Sequence, residues 1–343
     1  MSRRRVFFLG AGASKAEGGL LTNELLLESL ENPDVEQSFV SVVRRFLNEL
    51  FRVPEGSLEK LPQFEELLTL VDVALLKHEE FSEHWDNTRL MKLREALVYC
   101  IARTLKLKLQ SRPEPPIPEY HRQFIQNIFG NSGNTNRSRI EYENSFISLN
   151  YDILLDYALM DLYSRWNIDY GIDFRNFHGP RQGRGIKLLK LHGSLNWAFC
   201  PVCNSMKLSL EGKIADRIIT ERIPCERDGA TQRPLIIPPT WLKVYDNAHL
   251  TRIWLEAEHV LRNAEAVFFI GYSIPESDVH IRYLLKKSLY RRGTPPRIVV
   301  ITSAERRKKS AVELRSRYER FFGPTEIYHI GFEKFSSDVM KYI

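Results

Sequence analysis

The sequence predicts an α/β fold in which a doubly wound parallel sheet carries an inserted helical module and a small cysteine-containing insert. Three observations support this prediction. Short apolar runs typical of buried strands alternate with helical patterns, an insert at 34–145 shows helical periodicity and no strand-like run from about Asp34 to Phe129, and a Cys-x-x-Cys pair lies in an irregular stretch at 198–233. We therefore expect a single domain over residues 1–343 with two insertions.

The first predicted strand ends in a glycine turn. Residues 6–14 read Val-Phe-Phe-Leu-Gly-Ala-Gly-Ala-Ser, and the continuous apolar run is typical of a buried parallel strand. Gly10 and Gly12 permit tight backbone angles and close backbone approach, and the start of the next helix offers N–H groups to an anion. The pattern predicts a phosphate-binding turn, although it is not the G-x-G-x-x-G fingerprint of dinucleotide sites. The alternative is a turn that only joins a strand to a helix.

A helical module is predicted between the first two strands of the sheet. A helix begins near Thr22, and apolar residues then recur at helical spacing, as in Phe64, Leu67 and Val71. Prolines punctuate this segment, which is typical of helices separated by short connections.

Strand and helix patterns alternate again from residue 146 onward, as expected of a doubly wound fold. The predicted strands are 146–148, 188–191, 235–237, 266–270 and 297–302. The predicted helices are one that ends near residue 162 and three at 250–261, 281–290 and 304–321.

Four predicted strands end in a polar or glycine motif. These motifs are residues 10–14, 150–152, 192–194 and 271–273. Because the carboxyl ends of parallel strands meet at one edge of a Rossmann-like sheet, we expect the motifs to line one crevice. Each motif also has a structural interpretation, since Asn150 and Asp152 can cap the next helix and His192 can be a hydrogen-bonded core residue.

The order of the motifs resembles that of the sirtuins, because G-A-G-x-S, N-x-D, L-H-G, C-x-x-C and G-x-S follow one another along the chain. The local sequences Ser-Leu-Asn-Tyr-Asp, Leu-His-Gly-Ser-Leu-Asn-Trp and Ile-Gly-Tyr-Ser-Ile-Pro resemble the bacterial sirtuin-like branch associated with antiphage defence. The resemblance extends from Phe7 to about Ser303 and leaves out the helical module. It implies a sirtuin-like catalytic domain that acts on NAD.

The resemblance also implies roles for individual residues. The residues implied to hold the phosphates and riboses of NAD are Gly10, Ala11, Gly12, Ser14, Gly271, Ser273 and Ser303. The residues implied to act at the nicotinamide end are Asn150, Asp152 and His192. Among these, His192 is implied to be the catalytic base.

The residue chemistry suits cleavage of the bond between nicotinamide and ribose, which passes through a cationic, oxocarbenium-like centre. Asn150 can hold a water against the anomeric carbon, and Asp152 can accept a hydrogen bond from the nicotinamide carboxamide. His192 can take a proton near neutral pH, because the unperturbed pKa of histidine is about 6.5.

The sequence departs from the family in two places. Residues 18–23 keep a glycine but lack the proline, acid and Phe-Arg pair of the sirtuin G-I-P-D-F-R stretch, and residues 235–240 replace the V-x-F-G-E segment that clamps acyl-lysine in protein deacylases. Water is then the remaining nucleophile, so we expect hydrolysis of NAD to nicotinamide and ADP-ribose. Two alternatives stay open: an NAD-dependent protein deacylase, and a regulatory module that binds NAD or ADP-ribose without turnover.

The cysteine insert has the spacing of a degenerate zinc ribbon. Cys200, Cys203 and Cys225 match the first three ligands, the fourth cysteine is missing, and Asp228 lies near its expected place. Both a zinc site and a metal-free ribbon are compatible with this pattern.

Composition and resemblance give expectations about location and partners. The net charge is +6 with acidic residues interspersed, so we expect no direct binding of nucleic acid, and the apolar runs are too short to span a membrane. With no signal peptide visible, we expect a cytoplasmic protein. The resemblance implies antiviral defence by NAD depletion, a homo-oligomer, and a defence partner such as a DNA-translocating ATPase or an argonaute.

Overall fold

The computed structural model describes residues 4–54, 60–110, 118–130, 143–162, 167–177, 179, 185–209, 214–237, 247–290, 294–303, 305 and 308–343. These residues divide between two compact units. The first unit draws on Met1–Gly19, Arg112–His192 and Tyr245–Ile343, and the second on Leu20–Ser111 and Gly193–Val244.

Strands and helices are numbered here along the described chain. The strands are β1 (Arg5–Leu9), β2 (Asn144–Ser148), β3 (Ile168–Asp169), β4 (Ile186–Lys190), β5 (Gly193–Phe199), β6 (Met206–Leu208), β7 (Arg233–Ile236), β8 (Ala266–Ile270), β9 (Arg297–Ile301) and β10 (Glu326–Tyr328). The helices are α1 (Ala11–Ala16), α2 (Thr22–Glu31), α3 (Gln37–Phe51), α4 (Phe64–Lys77), α5 (Asn87–Gln110), α6 (Glu119–Phe129), α7 (Leu154–Leu162), α8 (Ala215–Glu221), α9 (Ala248–Asn263), α10 (Val279–Tyr290), α11 (Lys309–Phe322) and α12 (Gly331–Asp338).

The first unit is built on a parallel sheet in which seven strands of the described chain follow the order β10-β9-β8-β1-β2-β4-β3. Each neighbouring pair is parallel, and β1 pairs with β2 on one side and with β8 on the other. The strand order therefore runs outward from β1 in both directions, which places the topological switch point between β1 and β8. This confirms the predicted α/β fold with a parallel sheet.

Alternate residues of β1 point to opposite faces of the sheet, and aromatic side chains pack against both faces. Phe7 contacts Phe124 of α6 edge to face, with ring centroids 5.2 Å apart. Phe8, on the other face, lies 5.3 Å from Phe269, which in turn contacts Tyr318 of α11. Phe7 and Phe8 are fully buried, and burial of each contributes about 2 to 3 kcal/mol. This two-sided burial explains why β1 is an unbroken apolar run.

The second unit contains helices α2 to α5 and α8 and a three-stranded antiparallel sheet in the order β6-β5-β7. Within it, Ser29 of α2 hydrogen-bonds Thr104 of α5 at 2.8 Å, and Lys106 of α5 lies 3.1 Å from Asp216 of α8. Because β6 and α8 lie within residues 198–233, the expectation of an irregular stretch there is wrong for these described residues. The predicted strand at 235–237 is found as β7, but it pairs antiparallel with β5.

The other predicted elements agree with the structure within a few residues at their ends. The described residues between β1 and β2 form α1 to α6 and no named strand, as the helical periodicity predicts. The helix predicted at 304–321 is seen from Lys309, and residues 304, 306 and 307 lie outside the described chain. The boundaries 34–145 and 198–233 and the single domain over 1–343 remain predictions. No described helix has both the length and the apolar character needed to cross a bilayer.

Candidate functional site

The predicted motifs follow four strands that are adjacent in the sheet, in the order β8-β1-β2-β4. All four strands are parallel, so their carboxyl ends lie at the same edge. The motif residues belong to the first unit, apart from Gly193 and Ser194, which belong to the second, and several atoms of the first-unit motifs are in direct contact, as the following paragraphs describe.

The glycine turn after β1 packs backbone to backbone against the turn after β8. Gly10 N–H donates to Ile270 O and Gly12 N–H donates to Gly271 O, both at 2.9 Å. A Cβ at Gly12 would lie 2.7 Å from Gly271 Cα, and Gly271 itself has φ +60°. These glycines therefore allow two turns to approach, and their N–H groups are already used. Among the described residues, no acceptor is bound to the N–H of Ala11, the first residue of α1.

The Asn150 side chain is held in one orientation. Its Nδ2 donates to Gly10 O at 3.0 Å and to Ser14 Oγ at 2.8 Å. Because a backbone carbonyl only accepts hydrogen bonds, these contacts assign the nitrogen and leave Oδ1 as the acceptor end of the amide. Asn150 is half-buried, which leaves part of this polar group accessible.

Ser14 and Asp152 complete a buried hydrogen-bond chain with Asn150. The Ser14 hydroxyl donates to Asp152 Oδ2 at 2.5 Å while it accepts from Asn150. The other oxygen of Asp152 accepts from Leu154 N–H at 3.1 Å, at the start of α7. Asp152 thus serves both as a helix cap and as the anchor of Ser14, so the capping and the site interpretations apply to the same residue. Ser14 is 4% exposed, and its hydroxyl supports Asn150.

His192 follows β4 and is buried, with 6% of its surface exposed. Its Nδ1 lies 3.1 Å from Leu149 O, and since that carbonyl only accepts, Nδ1 carries the hydrogen in the neutral ring. The basic lone pair is then on Nε2. The preceding Leu191 is fixed by its N–H to Ser148 O and by Trp254 Nε1, which donates to its carbonyl, each at 3.0 Å. Both hydrogen-bonding groups of the Leu191 backbone, directly before His192, are therefore engaged.

The turn after β8 is hydrogen-bonded and has one strained backbone angle. Tyr318 Oη donates to Tyr272 O at 2.7 Å, and Tyr272 Oη donates to Asp278 at 3.1 Å. Burial raises the pKa of Tyr272 well above its ordinary value, and the nearby Asp278 carboxylate adds to the shift. Ser273 is exposed, but the next residue, Ile274, is fully buried with φ +46°. A β-branched residue is rare in this left-handed region, and the sequence carries no signal for it.

Ser303, the last predicted NAD-binding residue, lies two positions after β9 and is exposed. It follows β9, the strand next to β8, so the sheet brings it to the same edge as Ser273. No contact joins the two serines to Asn150 or His192 among the hydrogen bonds of the described chain.

The cysteine cluster forms a separate candidate metal site in the second unit. The ligand atoms of Cys200, Cys203, Cys225 and Asp228 all lie within 4.8 Å of one another. Cys203 Sγ and Cys225 Sγ are 3.7 Å apart, close to the ~3.8 Å edge of a tetrahedron with Zn–S bonds of about 2.3 Å. Hydrogen bonds from Cys203 and the Ala230 N–H lower the pKa of the Asp228 carboxyl. Three sulfurs and a carboxylate at this spacing fit a zinc ion.

Fold and motifs together define a class: an α/β protein with a parallel sheet in which polar and glycine motifs follow the carboxyl ends of the central strands. The family model described as "SIR2-like domain" matches residues 144–321, just over half of the chain. The protein therefore belongs to the SIR2-like domain family, which confirms the family prediction. Its place in the antiphage branch stays a prediction.

Solved structures give more distant matches, and no curated protein matches the sequence significantly. A structure from work on Sir2 enzymes is 13% identical, with 99% of this chain and 92% of that chain covered and a TM-score of 0.46. Sir2Tm bound to a propionylated peptide is also 13% identical, with 99% and 93% covered and a TM-score of 0.46. A Sir2 homolog–NAD complex is 14% identical, with 99% and 89% covered and a TM-score of 0.45. At this distance the matches carry no conclusion about ligand or reaction.

Proposed function

We propose that the protein hydrolyses NAD to nicotinamide and ADP-ribose in the crevice at the carboxyl ends of β8, β1, β2 and β4. The observation that carries the proposal is the fixed Asn150 amide, whose Nδ2 is bound by Gly10 O and Ser14 Oγ and whose acceptor oxygen is therefore presented in a defined direction. Membership of the SIR2-like family supports NAD as the ligand.

NAD would lie across the switch point with its pyrophosphate at the start of α1. The N–H of Ala11 supplies a donor there, while Gly10 and Gly12 keep the β1 and β8 turns close enough to form one wall. Gly271 and Ser273 would contact the second phosphate or a ribose, and exposed Ser303 would reach the adenosine half. Ser14 would act indirectly, by supporting Asn150, because its hydroxyl is hydrogen-bonded to Asn150 and Asp152.

The reaction breaks the bond between the ribose anomeric carbon and the pyridinium nitrogen. Nicotinamide leaves as a neutral base with the bonding electrons, and a water oxygen bonds to the carbon while its proton passes to a base. Asn150 Oδ1 would accept a hydrogen bond from this water and orient it, and His192 Nε2 would take the proton. Each oxygen of Asp152 accepts one hydrogen bond, and a carboxylate oxygen can accept more than one. Asp152 would therefore also accept a hydrogen bond from the nicotinamide carboxamide.

The test is release of nicotinamide from NAD by the purified full chain without any peptide. We expect Asn150→Ala and His192→Ala to lower the rate by at least about 100-fold, as loss of an orienting or proton-transfer group commonly does. Asn263→Ala and His259→Ala are matched controls, since these residues contact each other at the exposed end of α9. Unchanged rates in the two site variants would contradict the proposal.

The protein deacylase is the second candidate. Residues 235–237 replace part of the family's V-x-F-G-E segment, and residues 238–240 lie outside the described chain. Addition of an acetylated peptide separates the candidates: a deacylase releases nicotinamide only with peptide, whereas the proposed hydrolase releases it equally without. Binding of NAD with no release in either case would favour the regulatory module.

The biological role that we propose is antiviral defence through NAD depletion, by a homo-oligomer that a partner such as a DNA-translocating ATPase or an argonaute holds inactive. The resemblance to the antiphage branch supports this role. Cellular NAD measured before and after phage infection tests it, in cells expressing the wild type or Asn150→Ala. We expect NAD to fall only in infected cells with the wild type.

We further propose that the cysteine cluster holds a structural zinc ion. Cys200, Cys203, Cys225 and Asp228 would be its ligands, and the ion would stabilise the β5–β6–β7 region without a part in the reaction. We expect about one zinc per chain by elemental analysis of protein purified without chelator. Cys225→Ser should lose the metal, and zinc-free wild-type protein would contradict the proposal.

A further inference from the structure

Lys190 is a fully buried lysine at the end of β4, two residues before His192, and only 1% of its surface is exposed. Its ammonium lies 2.9 Å from Asp156 Oδ2 on α7, and Asp156 is equally buried. Tyr170, which follows β3, donates its hydroxyl to the other Asp156 oxygen at 2.9 Å. The positive charge is therefore compensated inside the first unit, as a buried lysine requires.

The same ammonium also donates to the backbone oxygen of Asp152. That carbonyl belongs to the connection between β2 and α7, which carries Asn150 two residues earlier. A single side chain thus ties the connection that bears Asn150 to the strand that leads into His192.

Stability alone gives little reason for such a pair. Removing two charges from water costs free energy that their mutual attraction often fails to recover, and apolar residues of similar volume are frequently as stable or more so. The second hydrogen bond, to Asp152 O, is what an apolar pair could not supply. This contact is also the one that reaches the candidate site.

We propose that Lys190 is a positioning residue for the reaction: through Asp152 O, its ammonium sets the place of Asn150 relative to His192. The inference rests on the proposed hydrolysis of NAD, in which both residues act on the same water. Because a displacement of about 1 Å can cost about 100-fold in rate, loss of this contact should lower kcat by roughly that factor. The Michaelis constant for NAD should change less than about 3-fold, since the phosphates would be held at the glycine turn.

The test compares Lys190→Met with Asp156→Asn. Both variants break the buried ion pair and should lower the melting temperature, but Asp156→Asn keeps the donor to Asp152 O. We expect kcat to fall about 100-fold in Lys190→Met and to stay within about 5-fold of wild type in Asp156→Asn. The double variant Lys190→Met, Asp156→Leu leaves no buried charge unpaired, so it should be more stable than Lys190→Met despite the lost acceptor of Tyr170, and it should be as slow as Lys190→Met.

The outcomes separate the two proposals. If the wild type is active and the double variant has an unchanged kcat, the positioning role is overturned, whereas the proposed hydrolase activity stands. Parallel losses of kcat and stability in Lys190→Met and Asp156→Asn also overturn it, because they indicate a purely structural pair. A wild-type protein that releases no nicotinamide overturns the proposed function, and the positioning role with it.

Discussion

Substitution of Gly12 by alanine tests whether the two central turns pack as closely as the structure indicates. The added Cβ would lie 2.7 Å from Gly271 Cα, and because Cβ atoms essentially never approach closer than 3.0 Å, the turns must separate by at least 0.3 Å, and by 0.7 Å to reach ordinary contact at 3.4 Å. Overpacking of this kind costs about 1 to 3 kcal/mol, and weakening of the Gly12 N–H to Gly271 O hydrogen bond adds about 1 kcal/mol. We expect Gly12→Ala to lower the free energy of unfolding by about 2 to 4 kcal/mol.

The assay is urea denaturation, with Gly18→Ala as the matched control. Gly18 has φ +86° and nothing within 4 Å of an added Cβ, so its substitution should cost only the backbone strain of a left-handed alanine, about 1 to 2 kcal/mol. If Gly12→Ala is no less stable than Gly18→Ala, the close packing of the turns is refuted.

Two further predictions concern strain and pH. Because Ile274 has φ +46°, the Ile274→Gly variant should be more stable than Ile274→Ala by about 1 kcal/mol in urea denaturation. An Ile274→Ala variant that is the more stable of the two would contradict the strain. Burial opposes ionisation of Glu17, but hydrogen bonds and the charge of His121 outweigh it and lower the Glu17 pKa below 4.5. The carboxylate's contribution to stability is therefore present above pH 4.5 and lost as the pH falls through the folded-state pKa, so Glu17→Gln should flatten the loss of stability below pH 4.5. Parallel acid denaturation curves for Glu17→Gln and wild type would refute this.

The sequence is sufficient to predict the central strands of the parallel sheet and their ends, because these depend on local signals. The apolar runs of β1 and β8 are buried on both faces, and the length of these strands, five residues each and followed by a glycine, distinguishes them from helices, which are longer. Motifs that follow them then fall at one edge for topological reasons. Asn150 and His192 could be found in this way.

Features that depend on distant contacts could not be predicted. β5 was missed because Gly193 opens it directly after the His192 motif, so the segment read as the end of one strand and not the start of another. Lys190 and Asp156 are 34 residues apart, and no periodicity connects a buried charge to its partner. The role of Gly12 as a packing contact for Gly271 likewise appears only when β1 and β8 are adjacent.

The central claim is that water, and no acylated peptide, completes the cleavage of NAD. The most direct measurement is quantification of nicotinamide and ADP-ribose formed by the purified wild-type chain from NAD alone, beside Asn150→Ala and its control Asn263→Ala. The account predicts that the wild type and Asn263→Ala each form nicotinamide and ADP-ribose in equal amounts. It predicts a rate at least about 100-fold lower for Asn150→Ala. Product formation that requires an acylated peptide, or that persists at full rate in Asn150→Ala, would contradict it.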